Sequence, residues 1–241
     1  MIIFAARKKI MVRIQDEAEL RGQLVICALL SEDENRLLLD RLQISEFRKN
    51  QIIYSEGEKP DYAMCLLDGK VKVTKSGVGG RHHIVRMVKP SGYFAYRGCI
   101  AEENHSTTAT AFEACRIALI PAPVLLQLIR QNNDLAWFFI QALAADLGVS
   151  DSRQVNLTQK HIRGRLAESL LLLRDHYGLE ADGVTINIYL SREDLANMSN
   201  MTTSNAIRTL SMFVEEKVIS IDGRRIKIID GEQLSRISRL G

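Results

Sequence analysis

With 241 residues, 46% hydrophobic and 25% charged, the chain has the length of two domains and the composition of an ordinary globular protein, neither disordered nor fibrous. No apolar run approaches the roughly 20 residues a bilayer span needs, and MIIFAARKKIMVRI places its apolar patch before its basic residues, the reverse of a secretory signal. A formal net charge of +3 neither demands nor excludes nucleic acid, which needs only a local basic surface.

The first residues read as a ragged terminus with Met11 as an alternative start, on a chain expected in the cytoplasm and away from membranes. Cys27, Cys65, Cys99 and Cys115 are scattered, without a CxxC pair or a histidine at ligand spacing. Buried reduced thiols account for them, with a metal or redox site as the competing reading.

From Asp16 to Arg48 the spacing predicts helix, with Leu37, Leu38 and Leu42 as an apolar stripe. Between Phe47 and Ile120 the chain breaks into short runs rich in Ile, Val and Tyr, separated by Gly, Asp and Pro, the pattern of a β-barrel or jelly roll. Val71 and Val73 alternate with Lys70, Lys72 and Thr74 as a half-buried strand leading to a Ser76–Gly80 turn. Pro121 and Pro123 end the β region, and Val124–Arg130 resumes helical spacing.

Asp134 opens a long helix. Phe138, Ala142, Ala145, Val149, Ser152, Asn156 and Gln159 recur at steps of four and three, the seam of a coiled coil in which Asn156 can fix register. The competing reading lays this helix on the barrel by its Phe and Leu face. A helix from His161 to Tyr177 follows, with Leu166, Leu170 and Leu173 on one side and Gly178 as its stop. Val184, Ile186, Ile188 and Leu190 then alternate as a short strand.

LSREDLANMSNMTTSNAIRTL has the grammar of a helix-turn-helix. Ser191 caps the first helix, with Asp194 placed to complete a capping box. Leu195 and Met198 face inward, and Asn200 suits a left-handed turn. Thr202 caps the second helix, which packs through Ala206, Leu210 and Phe213. Thr203, Ser204, Ile207, Arg208 and Ser211 fall on the opposite face: short hydroxyls, then a guanidinium able to take both acceptors of a guanine. Alone, the stretch reads equally as a surface helix of a bundle. Behind it, VISIDGRRIKII has two alternating runs joined at Asp222-Gly223, a strong hairpin signal, carrying Arg224, Arg225 and Lys227. Helix, helix and basic hairpin in that order make a winged helix whose hairpin can lie against phosphates, although any single cation there also reads as a solvated turn residue.

From about Ile44 to Ile229 the chain resembles the Crp/Fnr family of bacterial transcription regulators, in EGEKPDYAMCLLDGKVKV, in PSGYF, in the long helix and in LSREDLANMSNMTTSNAIRTLSMFVEEKVISIDGRRIKI. The resemblance implies an α+β chain: residues 16–132 form a double-stranded β-helix, or jelly roll, of the cyclic-nucleotide-binding type, 133–160 a dimerisation helix and 161–241 a winged helix-turn-helix. It implies a homodimer on a two-fold symmetric DNA site, with RNA polymerase as a partner. Thr203, Ser204 and Arg208 match the base-reading positions, with Ile207 beside them. Where the family often has a glutamate this chain has Ser204, which leaves the preferred half-site open.

The sensor departs from the family's cyclic-AMP-binding members. In YFAYRGCIAEENHSTTATA, Arg97 stands at their glutamate place, and Thr107 and Thr108 at the arginine-serine pair. Without that arginine, a buried cyclic phosphate lacks its counter-charge, so cyclic AMP is not the expected signal. Arg97 can meet another anion or pair with Glu102 or Glu103. No iron-sulfur motif is present, since only Cys27 lies near the N-terminus. Haem stays open through His82, His83, His105 and Cys99, although successive strand residues such as His82 and His83 point to opposite faces. With no Walker loop, GxSxG or metal constellation, an enzyme is not expected. The competing class is a ligand-binding or scaffolding protein whose winged helix makes protein contacts.

Overall fold

The computed structural model describes residues 14–77, 80 and 82–240; the ragged terminus with Met11 and part of the Ser76–Gly80 turn lie outside them. Two compact units divide the chain at Asp146. The first holds the strands through Ser76 together with Val85–Asp146, and the second holds Gly77–Ile84 and the chain from Leu147.

The first unit opens with α1 (Ile14–Gln23), a 3-10 helix (Val25–Leu29) and α2 (Glu32–Arg41). The expected single helix over 16–48 is thus broken. Ser31 starts α2 with a capping box, its amide donating to Glu34 Oε2 at 2.8 Å. Buried Asn35 donates from Nδ2 to Cys27 O and Leu30 O, both at 3.0 Å, satisfying carbonyls freed at the break. Leu38 and Leu42 are buried as expected, but Gln43–Phe47 is already a strand, β1.

Strands β2 (Ile52–Tyr54), β3 (Tyr62–Asp68), β4 (Val71–Ser76), β5 (His82–Val88), β6 (Tyr93–Phe94), β7 (Thr108–Ala111) and β8 (Cys115–Pro121) complete two four-stranded sheets. Their orders are β1-β8-β3-β6 and β2-β7-β4-β5, a jelly-roll connection in which neighbours are distant in sequence. Along β3 every residue from Ala63 to Leu67 is buried, because both faces are covered. Met64 and Leu66 join Tyr54, Val71, Val73, Phe94, Ile117 and Leu119 in the roll's interior. Ala63, Cys65 and Leu67 face the other way, against Leu38, Leu125, Leu128, Leu135 and Phe139 of the helices. Gly69, at φ 86°, turns β3 into β4 where a Cβ would stand 2.3 Å from Ala114 O, so no larger residue fits.

After α3 (Tyr96–Ala101) and β8 come α4 (Ala122–Gln131), with Pro123 in its first turn, and α5 (Asn133–Gln159). The predicted seam of α5 is divided. Phe138 and Ala142 pack, half-buried, beside Phe139 and Leu143 on the core of the first unit, while Ala145 and Val149 are exposed. Asn156 donates to Glu168 Oε1 at 2.6 Å instead of standing open for register. The reason is helical period: a helix lying on a sheet turns adjacent pairs inward, a wider stripe than a coiled-coil seam. Trp137, Ile140, Ala144 and Leu147, at steps of three and four, form the outward apolar stripe.

In the second unit α6 (Ile162–Tyr177) buries Leu166, Leu170 and Leu173, and Gly178 at φ 75° follows its end. The run from Val184 to Leu190 buries Ile186, Ile188 and Leu190 but pairs through isolated bridges, Leu179 with Ile186 and Thr185 with Lys227, not a ladder. Helices α7 (Arg192–Met198) and α8 (Thr203–Glu215), strands β9 (Ile219–Asp222) and β10 (Arg225–Ile228), and α9 (Gly231–Leu240), which packs on α6, complete it.

Candidate nucleic-acid interface

Local chemistry sets the helix pair. Ser191 Oγ accepts from Asp194 N at 3.0 Å and donates to the Asp194 carboxylate at 2.7 Å. Asn200 takes the left-handed conformation at φ 49°, and Thr202 Oγ1 accepts from Asn205 N at 3.2 Å to start α8. Ser199 Oγ, buried at the end of α7, donates to Ser169 Oγ of α6 at 2.9 Å and fixes the corner on its support. At the far end of α8, the Arg163 guanidinium pairs with Glu216 and lies over the Phe213 ring, 5.1 Å from its centroid. Hydrogen bonding in this pair raises the Arg163 pKa and lowers that of Glu216.

With α8 so held, Ala206, Thr209, Leu210 and Phe213 are buried, and Thr203, Ser204, Ile207, Arg208 and Ser211 stand exposed together. Arg208 Nη2 donates to Asn205 Oδ1 at 3.3 Å, a steadying contact that the sequence pattern did not single out.

The hairpin turns through Gly223 and Arg224, one residue beyond the expected Asp222-Gly223, since Asp222 pairs with Arg225. Gly223, at φ 56°, supplies the positive φ that a two-residue hairpin turn needs first. Arg192 Nη2 donates to Gly223 O at 2.9 Å, tying α7 to the turn. Arg225, expected at the phosphates, is engaged within the chain. Its Nη2 donates to Glu180 Oε2 at 2.7 Å and its guanidinium lies 5.6 Å from the Tyr189 ring, while Tyr189 Oη donates to Glu180 Oε1 at 2.5 Å. Lys227 Nζ is 3.8 Å from Asp182, whose pKa falls to about 2 through hydrogen bonds from Thr185 and Val184. Arg224, exposed at the tip, makes no ion pair among the described residues. Glu180 lies 45 residues from Arg225, too far apart for local patterns to reveal.

Each sensor residue, Arg97, Thr107 and Thr108, has a partner within the roll. Arg97, exposed on α3, donates to Glu103 Oε2 at 3.0 Å. Thr107 Oγ1 is 3.4 Å from Tyr54 Oη, and Thr108 Oγ1 accepts from Glu56 N at 3.0 Å. His105 is buried and stacked on Tyr54 at 3.9 Å between ring centroids, His82 is exposed, and His83 Nδ1 contacts Asn197 O at 2.8 Å. Among the described residues no three His, Cys, Asp or Glu side chains cluster as a metal site. The four cysteines are buried free thiols; burial pushes Cys65 and Cys115 to about 12, and Cys27 and Cys99 to about 11. One polar group escaped sequence reading. Arg86 of β5 pairs with Asp146 of α5, and Tyr96 Oη donates to the same carboxylate at 2.8 Å. Burial opposes the Arg86 charge, but Asp146 and Tyr96 outweigh it and the pKa rises.

A jelly roll, a long helix and a winged helix-turn-helix define a DNA-binding transcription regulator with a cyclic-nucleotide-binding-type domain. Residues 44–132 match the cyclic nucleotide-binding domain family, and residues 164–237 match the Crp-like helix-turn-helix domain. The chain is 23% identical over 203 residues to the CRP-like cAMP-activated global transcriptional regulator of Mycobacterium tuberculosis, covering 84% of this chain and 91% of that one. It is 24% identical over 196 residues to the global nitrogen regulator of Nostoc sp., covering 80% and 88%. Among solved structures, FixK2 from Bradyrhizobium japonicum superposes with a TM-score of 0.74 at 20% identity, over 81% of this chain and 96% of that chain. A crp/fnr-family regulator from Eubacterium rectale gives 0.75 at 16% identity, over 90% and 99%. The chain belongs to the Crp/Fnr family of transcription regulators, whose members are not enzymes. Among the described residues no helix is long and apolar enough to cross a membrane.

Proposed function

We propose that the chain acts as a homodimer that reads a two-fold symmetric duplex site through Thr203, Ser204, Ile207 and Arg208, with Arg224 of each wing on the phosphates. The observation that carries this reading is the clean division of α8, with its packing residues buried and its candidate readers exposed in its N-terminal half. The second copy covers the stripe of Trp137, Ile140, Ala144 and Leu147, since an apolar row of this length is costly to leave in water. This places the dimer contact one helix face away from Phe138 and Ala142.

The signal is not cyclic AMP bound in the usual manner. Arg97 pairs with Glu103, and Thr107 faces the phenol of Tyr54, so a cyclic phosphate at Thr107 would lack an arginine counter-charge. RNA polymerase is the partner through which a bound dimer acts on transcription. Light scattering on the chain alone and on Leu147→Glu, followed by duplex titration at two salt concentrations, tests the reading. The wild type is expected as a dimer with salt-dependent binding and Leu147→Glu as a monomer with weak binding. A monomeric wild type that still binds a symmetric site tightly would overturn it.

A further inference from the structure

On the exposed face of α8, Ile207 is anomalous: it is 48% exposed amid hydroxyls and a guanidinium. The other exposed apolar residues of this helix, Met212 and Val214, lie in its C-terminal half, away from the end that enters a groove. Side chains four apart stack in rows on a helix, so Thr203 and Ile207 form one row and Ser204 and Arg208 the next. Ile207 and Arg208 therefore point about 100° apart around the helix, with Ser204 and Ser211 directed between them on the same exposed face. The hydrogen bond from Arg208 to Asn205 draws the guanidinium toward the side away from Ile207, leaving the row of Ile207 clear. A β-branched side chain in a helix keeps one preferred rotamer, so ordering Ile207 on binding costs little.

In the major groove, the one apolar group a base edge offers is the C5 methyl of thymine. Resting on the reading of this face as the DNA reader, we infer that Ile207 selects a thymine in the same half-site as the guanine taken by Arg208, by packing against that methyl. Ser204 and Thr203 contribute hydroxyls that accommodate several bases, so the sharp preferences of the half-site come from the isoleucine and the arginine.

The test removes only the methyl. The full chain selects its site from a random duplex pool, and the enriched site is resynthesised with deoxyuridine in place of each thymine in turn. Losing one methyl contact is expected to weaken binding about fourfold, and losing it in both half-sites about fifteenfold. Ile207→Ala should bind thymine and uracil sites alike while still demanding the guanine, and Ile207→Val should keep part of the difference. If deoxyuridine is tolerated everywhere by the wild type, or if the penalty persists undiminished in Ile207→Ala, the inference is overturned. A chain that enriches no sequence at all would overturn the DNA-reader reading, and this inference with it.

Discussion

Glu180 pairs with Arg225, and on the proposed reading of the wing its replacement should release a phosphate contact. In the folded chain Glu180 uses one oxygen on Arg225 at 2.7 Å and the other on Tyr189 at 2.5 Å, so the guanidinium is held both by charge and over the tyrosine ring. The hydrogen bond with Tyr189 and then the charge of Glu180 raise the Arg225 pKa. Glu180→Gln keeps the shape and removes the charge. Each phosphate neutralised contributes about 0.9 to the slope of log K against log salt, so one released arginine per wing steepens the slope by about 1.8 in a dimer. Between 50 and 200 mM salt that amounts to about a twelvefold additional loss of affinity, with tighter binding at the low-salt end. Fluorescence anisotropy on a selected duplex measures it, and the double variant Glu180→Gln, Arg225→Ala should restore the wild-type slope. An unchanged slope in Glu180→Gln, or a wild-type slope that already falls on Arg225→Ala, would exclude Glu180 as the restraint on Arg225.

Arg208→Ala should cost about 1–3 kcal/mol at the selected site and relax the preference for guanine, with the melting temperature unmoved because the side chain's bond to Asn205 is exposed. Equal weakening on every sequence would show a phosphate contact instead. Trp137→Glu should dissociate the dimer in sedimentation velocity as fully as Leu147→Glu, whereas Ala145→Glu should act less; equal effects would contradict the assigned stripe. Burial lowers the pKa of His105, so the folded chain favours its neutral form. Its contribution to stability is therefore fully present above the unfolded value of about 6.5 and is lost as pH falls through the lower folded value. His105→Phe, which keeps a ring on Tyr54, should flatten the pH dependence of denaturant stability below about 6.5; an unaltered slope would exclude His105 as its source.

What the sequence made legible was local. The caps at Ser191 and Thr202, the turn at Asn200 and the faces of α8 depend on residues within one or two helical turns, and they stand as expected except that the Asp194 carboxylate accepts from the Ser191 hydroxyl. The β-roll was legible as alternation and turn chemistry. Beyond that range, reading stopped. The break before α2 depends on Asn35 reaching back to Cys27 and Leu30, and the α5 stripe depends on which side docks against Leu135 and Phe139 of its own unit's core. Likewise Arg86 meets Asp146 across 60 residues and Arg225 meets Glu180 across 45, so neither ion pair leaves a periodic trace. Arg97 and Thr107 were placed by resemblance; the fold pairs Arg97 with Glu103, one of the two carboxylates the sequence offered it, and sets Thr107 against Tyr54, which lies 53 residues away.

On the proposed reading, a symmetric dimer grips one face of the duplex through two α8 helices. It is tested most directly by inserting about 5 base pairs, half a helical turn, between the half-sites of the selected duplex and measuring stoichiometry and affinity together. Two chains per unmodified duplex and loss of high-affinity binding on insertion are expected. One chain per duplex, bound equally well with and without the insertion, would contradict it.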